Sequence, residues 1–255
     1  MPIPFSVPTS LRSIEDIENI LRPCYDAGFI ELRDGSKKDL LSSIKLDEAL
    51  EISQTVLRLK PRTTVETGVA LGMSTLAICL AQEVNGQGCH FGVDPCQSSD
   101  HKMAAIQILE AAGVQHRFKL LEGPAHLELP KLIEHGQFVE FAFIDGMHTF
   151  DYKLLDFFLT DKLLTAGGVL GFHDCLWDAT KRVLRFALSH RKYRLVGNDA
   201  PPFDPHTYRK SRRPGRILRH LRSIELPLRS TGGKNLLMLE KIESWEPPFH
   251  YFSAF

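Results

Sequence analysis

Val65-Glu66-Thr67-Gly68-Val69-Ala70-Leu71-Gly72-Met73-Ser74-Thr75 starts as a strand-like run, passes two glycines and enters a helical pattern. A glycine-bearing turn after the first strand of an α/β sheet lets the main chain approach a ligand closely. The spacing here is Glu66-x-Gly68-x-x-x-Gly72, not the GxGxxG of a pyrophosphate cradle. This looser loop can wrap an amino-acid moiety, with Glu66 holding its ammonium directly or through water. The alternative is a strand-to-helix turn with no ligand, because short glycine motifs recur by chance.

Outward from this loop, short apolar or β-branched runs alternate with helical segments. The runs are 63–66, 90–94, 118–121, 141–145 and 169–173; the helices between and after them are 74–82, 102–112, 127–134, 151–164 and 179–190. That alternation predicts an α/β fold with a doubly wound, mostly parallel sheet. Most runs are continuously apolar, as expected of strands buried on both faces. Two later strands, 193–196 and 235–239, bring the sheet to seven. Ala166-Gly167-Gly168 reads as a tight turn before the fifth strand. Ahead of the sheet lie an arm, 1–10, and two helices, 13–21 and 47–59, which form an N-terminal cap or a dimer contact over residues 1–60. Ser13 and Asp16 have capping-box spacing, and Pro61 ends the second helix. Residues 61–255 then form the main domain, with an insertion at about 200–233.

The chain has 255 residues, balanced at 31 basic and 31 acidic side chains. Global charge therefore singles out no nucleic-acid or membrane partner. Five cysteines without a CxxC pair suggest a reducing, cytoplasmic setting. No apolar run reaches 18 residues, and the N-terminus lacks signal-peptide character.

The second strand ends Gly92-Val93-Asp94-Pro95. A carboxylate at that tip can accept hydrogen bonds from two ribose hydroxyls. Two further segments carry chemistry: Phe143-Ile144-Asp145-Gly146-Met147-His148 closes the fourth strand, and Gly171-Phe172-His173-Asp174 closes the fifth. Neighbouring strand ends should bring Asp145 and Asp174 together, and with His173 they can hold a divalent cation such as magnesium. A cation beside a hydroxyl stabilises the developing alkoxide, and a histidine can take the proton. His148, three residues after Asp145, is the preferred base. Plain structural roles compete: Asp145-Gly146 as a turn, and Asp174 as the N-cap of a helix beginning near Leu176.

VETGVALGMST, GVDPCQ, LEGPAH, FIDGMHTFDY and LTAGGVLGFHDC occur in the order used by the class I S-adenosylmethionine-dependent methyltransferases, which the sequence resembles over roughly 61–196. The resemblance implies a Rossmann-like fold with S-adenosylmethionine as cofactor. It places Glu66, Gly68 and Gly72 at the methionine end with Ser74 and Asp145 nearby, Asp94 at the ribose, and Gly123, Pro124 and Ala125 near the adenine. Relatives often carry an acidic residue or serine at 124 or 125, so the contact here is expected through the backbone. The Asp-Gly-x-His segment further resembles metal-dependent O-methyltransferases acting on macrolide sugars and related natural products. That likeness implies O-methylation of a small hydroxylated acceptor, with Asp145, His173 and Asp174 as metal ligands and His148 as base. His173-Asp174 departs from that group's acidic or Asp-Asn pair.

Arg209, Lys210, Arg212, Arg213, Arg216, Arg219 and Arg222 form a basic run. It reads as a solvated face or a contact for a charged acceptor; an RNA-directed methyltransferase is the competing reading, without an aromatic stacking platform to support it. A non-catalytic scaffold of the same fold is another. The aromatic C-terminus, 245–255, is expected to pack back on the fold or on a partner subunit in a homo-oligomer.

Overall fold

Ser13 starts the first helix as its spacing predicts. In the computed structural model, which describes residues 11–197 and 234–252, α1 (Ile14–Ala27) has a reciprocal capping box. The Asp16 amide donates to Ser13 Oγ at 3.3 Å, and the Ser13 amide donates to Asp16 Oδ2 at 3.1 Å. Ser13→Ala is expected to cost about 1 kcal/mol, read as a fall in melting temperature of roughly 2–4 °C. The helix continues past the expected end at residue 21 and contains Pro23, because its buried stripe of Ile17, Ile20, Leu21 and Cys24 keeps packing through that turn. Gly28, at φ 74°, ends it.

β1 (Phe29–Glu31) and β2 (Lys37–Asp39) form an antiparallel hairpin that the sequence reading lacks. Each strand has three residues, too few for alternation to show. Ion pairs attach the hairpin elsewhere in its unit: Lys102 to Asp34 at 2.7 Å, and Arg33 to Glu110.

The other elements are α2 (Leu46–Leu59), β3 (Thr63–Thr67), α3 (Met73–Val84), β4 (Cys89–Val93), α4 (Ala104–Ala111), β5 (Phe118–Leu121), α5 (Ala125–Glu134), β6 (Val139–Ile144), α6 (Phe150–Leu163), β7 (Leu164–Phe172), α7 (Asp178–His190), β8 (Lys192–Leu195) and β9 (Leu237–Glu243). The main sheet has seven strands in the order β5-β4-β3-β6-β7-β9-β8. This is the Rossmann-like, mostly parallel sheet expected from the alternation.

The chain divides into two units, Met1–Phe141 and Ala142–Phe255. In the first, β4 runs parallel to both β3 and β5, with Val65 opposite Phe91 and Gly92 opposite Leu120. Gly92 allows this packing: a Cβ there would lie 2.5 Å from the Phe118 ring and 2.6 Å from Val69 Cγ2. α1 and α2 pack on each other and on α3, and Ser53 Oγ donates to the Ala77 carbonyl at 3.0 Å.

In the second unit, β9 is antiparallel to both β7 and β8. Phe157 packs its ring against those of Phe172, Phe186 and Tyr193. Phe157 is buried, whereas Phe158 on the same helix is exposed. Asp161, buried, takes Arg191 at 2.9 Å, Tyr193 Oη at 2.8 Å and Lys241 at 3.1 Å. Ala166-Gly167-Gly168 lies inside β7 and is not a turn before it, because the strand starts at Leu164 and Gly167 absorbs the irregularity at φ 82°. Tyr251 Oη donates to the Ser189 carbonyl at 2.8 Å and its ring meets Trp245, so this part of the C-terminus packs within its own unit. No helix among the described residues is long and apolar enough to cross a membrane. The 1–10 arm, the 200–233 insertion and the basic run from Arg209 to Arg222 lie outside the described residues.

Candidate active site

The loop between β3 and α3 turns through Gly68 (φ 83°), Ala70 (φ 46°) and Gly72 (φ 85°). Its hydrogen bonds explain how it is held. The Gly68 amide donates to Val93 O at 2.9 Å, and the Gly72 amide to Val69 O at 2.8 Å. Asp94, at the tip of β4, is buried and fixes the crest: its Oδ2 accepts from the amides of Val69 at 3.0 Å and Ala70 at 2.7 Å. Gln97 Nε2 adds a bond to the same oxygen at 3.3 Å, while Oδ1 accepts the Cys96 amide at 2.7 Å. Oδ1 thus keeps acceptor capacity for a hydroxyl.

Glu66 is fully buried, and its carboxylate takes up the side chains of the following helix. Ser74 Oγ donates to it at 2.8 Å, as does Thr75 Oγ1. Ser74 therefore faces Glu66, and both shape the loop from beneath. His90 belongs to no motif in the sequence that would single it out. Its Nε2 lies 3.1 Å from Glu66 Oε1, off the line of a hydrogen bond, so this is an electrostatic contact. Its Nδ1 meets Thr64 Oγ1 at 2.8 Å, and Thr64 also accepts from Gln82 at 3.1 Å. Only the parallel pairing that places Thr64 opposite His90 reveals this chain. Gly123 and Pro124 form the turn from β5 into α5, with Pro124 as N-cap and Ala125 as first helical residue. A Cβ on Gly123 would strike the Glu128 carboxylate.

In the second unit, Asp145 follows β6 and Asp174 follows β7, and the two carboxylates converge. One ligand atom each from Asp145, His148 and Asp174 fall within 4.8 Å of one another. His148 Nδ1 is 3.0 Å from Asp174 Oδ2, and its ring lies 5.2 Å from that of Trp177. His173 is nearly buried, with Nδ1 3.1 Å from Asp145 Oδ1 and 3.6 Å from Asp174 Oδ1. Its Nε2 meets Asn235 Nδ2 at 3.1 Å, and the same amide nitrogen donates to Asp174 Oδ1 at 3.3 Å. The three donor groups brought together thus include His148; His173 stands beside them, directed at Asp145 and Asn235.

Asp174 is not a helix cap. α7 starts at Asp178 with Trp177 as N-cap, and Asp174 sits at φ 57°, a left-handed conformation that aspartate tolerates better than most residues. Beneath the site, the buried Lys153 Nζ lies 3.4 Å from the carbonyls of Ile144 and His173, the residues preceding the two aspartates. Burial pushes the Cys175 thiol up to about 12, so it stays protonated at neutral pH and offers no thiolate. Asn235 and Lys153 were invisible in the sequence as site residues, since each reaches the cluster across a long separation or from within a helix.

Residues 65–175 match the methyltransferase-domain family. Caffeoyl-CoA O-methyltransferase of Mesembryanthemum crystallinum is 28% identical over 191 residues, covering 69% of this chain and 71% of the relative. Caffeoyl-CoA O-methyltransferase 2 of Petunia hybrida is 26% identical, covering 62% and 67%. The O-methyltransferase TomG of Streptomyces achromogenes, solved with S-adenosylmethionine, shares the fold at a TM-score of 0.53 and 18% identity, covering 72% of this chain and 80% of that one. The Bacillus cereus O-methyltransferase, solved with S-adenosylhomocysteine, does so at 0.51 and 13%, covering 89% and 90%. The methyltransferase-domain match and these relatives support a class I S-adenosylmethionine-dependent methyltransferase. Within that class the chain is an O-methyltransferase, with S-adenosylmethionine as its methyl donor.

Proposed function

We propose that this enzyme methylates a hydroxyl of a small acceptor, a sugar or another natural product, with the help of a divalent cation held by Asp145 and Asp174. The observation that carries this reading is the convergence of those two carboxylates with the His148 imidazole. A cation held there would supply Lewis acidity that lowers the cost of deprotonating the acceptor's hydroxyl. Magnesium suits the carboxylates, and the nearby imidazole makes manganese the natural comparison.

His148 is the base in this reading. Its Nδ1 lies 3.0 Å from Asp174 Oδ2 and is turned to that carboxylate, which leaves Nε2 as the atom that takes the acceptor's proton. Asp94 holds the ribose through Oδ1 while its other oxygen keeps the 68–72 loop in shape; Glu66 and Ser74 support that loop from below, and the turn at Gly123–Ala125 meets the adenine. The five free thiols suit a reducing, cytoplasmic compartment.

Calorimetry with S-adenosylhomocysteine, with and without magnesium or manganese, followed by an acceptor screen, tests the proposal. Neither cation binding nor stimulating turnover would overturn the metal-assisted reading. Asp94→Ala is expected to weaken S-adenosylhomocysteine binding about tenfold to a hundredfold, the worth of a charge-assisted hydrogen bond, measured by the same titration. His148→Ala is expected to lower kcat by about two to four orders of magnitude with cation affinity held. A drop in cation affinity with it would make His148 a ligand instead.

A further inference from the structure

We infer that Asn235 is a positioning residue of the acidic cluster, holding His173 as its Nδ1–H tautomer so that the ring aims Asp145 while the same amide steadies Asp174. The inference rests on the reading of this cluster as a cation site. Its starting point is the 3.3 Å contact between Asn235 and Asp174 Oδ1. An ionised carboxylate only accepts hydrogen bonds, so the amide atom facing it must be the NH2 nitrogen and not the carbonyl oxygen. That same nitrogen lies 3.1 Å from His173 Nε2. An amide nitrogen donates, so Nε2 accepts and carries no proton. The ring hydrogen of neutral His173 is then on Nδ1, which faces Asp145 Oδ1 at 3.1 Å.

The chain of donors thus runs Asn235 → His173 → Asp145, with a branch Asn235 → Asp174. The main chain holds its origin in place: the Cys175 amide donates to the Asn235 carbonyl at 3.0 Å, and the His173 amide donates to the Ile144 carbonyl at 3.2 Å. Asn235 lies two residues before β9, the strand that pairs with β7 with Leu237 opposite Phe172. The antiparallel return of β9 therefore delivers the amide to the ends of β6 and β7. With its lone pair used by Asn235 and its proton used by Asp145, His173 is set to orient the site instead of ligating or taking protons, which leaves those roles to Asp145, Asp174 and His148. Outer partners of this kind fix the direction of a ligand carboxylate.

The test uses the full chain with 15N-labelled histidine, and His173→Gln to identify the His173 ring signals. The expected result is a neutral ring protonated at Nδ1, with Nε2 unprotonated. An Nε2–H ring in the unmodified protein would overturn the inference. Asn235→Leu removes the donor at similar size. It is expected to give a mixture of the two tautomers and to weaken Mn2+ binding about tenfold or more, measured by titration calorimetry on a variant whose circular dichroism matches the parent. An unchanged tautomer with unchanged Mn2+ affinity would also overturn it. The two readings fail separately: an unmodified protein that shows the Nδ1–H ring but binds no Mn2+ overturns the cation site, while the tautomer assignment stands on the ring signals alone.

Discussion

Asp145→Ala and Asp174→Asn should each remove cation-stimulated methyl transfer, lowering kcat by about a hundredfold to a thousandfold. Affinity for S-adenosylhomocysteine should stay close to that of the parent. The charge argument is direct. Two carboxylates placed together are costly unless something positive answers them, and here each is held in place: Asp145 by His173 at 3.1 Å, and Asp174 by His148 at 3.0 Å and Asn235 at 3.3 Å. Removing one charge leaves a single carboxylate, too weak a ligand for a cation that keeps most of its waters. Asparagine at 174 preserves the left-handed backbone at φ 57°, because asparagine tolerates that region as aspartate does, so lost turnover would not reflect a strained turn. Steady-state kinetics across a magnesium or manganese series provides the measurement. Turnover of both variants matching the parent at every cation concentration would remove the cluster from the reaction. The double variant should be little worse than either single one, because the two residues act as a unit.

Gly72→Ala should be the most damaging single-methyl change in the cofactor loop. The added Cβ would lie 2.7 Å from both Cα and Cβ of Ala105, and the residue sits at φ 85°. Left-handed backbone costs a non-glycine residue about 1–2 kcal/mol, and forcing a methyl into a filled space costs about 1–3 kcal/mol more. The sum, about 2–5 kcal/mol, is a large part of a typical domain's stability, and it corresponds to a fall in melting temperature of roughly 5–20 °C. Gly113→Ala is the control. Gly113 has φ 72° but nothing within 4 Å of the added carbon, so only the backbone cost applies. Equal melting temperatures for the two variants would show that the contact with Ala105 does not matter. Calorimetry on Gly72→Ala should also show weakened S-adenosylhomocysteine binding, since a shift of Gly72 moves the amides of Val69 and Ala70 that Asp94 holds.

The local signals in the sequence carried far. Ser13 and Asp16 cap α1 as their spacing predicts, and the β-branched and apolar runs became strands with ends displaced by a few residues. Those features are short-range: a cap joins residues three apart, and a buried strand announces itself by its own composition. The errors share a physical origin. α1 runs past the expected end at residue 21 and takes in Pro23, because burial of its apolar stripe outweighs the proline. The hairpin 29–39 is too short and polar for periodicity, and its ion pairs join residues more than sixty apart in the chain. Asp174 resembled a helix cap because the sequence does not reveal that the next helix waits until Asp178.

Residue types and their order along the chain were enough to settle an alternating α/β sheet, a glycine-bearing loop after its first long strand, and aspartates at the ends of two later ones. Side-chain direction and long-range pairing were left to the tertiary structure. Folding turned Glu66 inward onto Ser74, Thr75 and His90, gave Asp94 the amides of the loop, and put His148 rather than His173 among the clustered donors. It also brought Asn235 back along an antiparallel strand to residues some sixty positions earlier. The reason is geometric: which way a carboxylate or imidazole points depends on hydrogen-bond partners that only the register between distant strands places beside it.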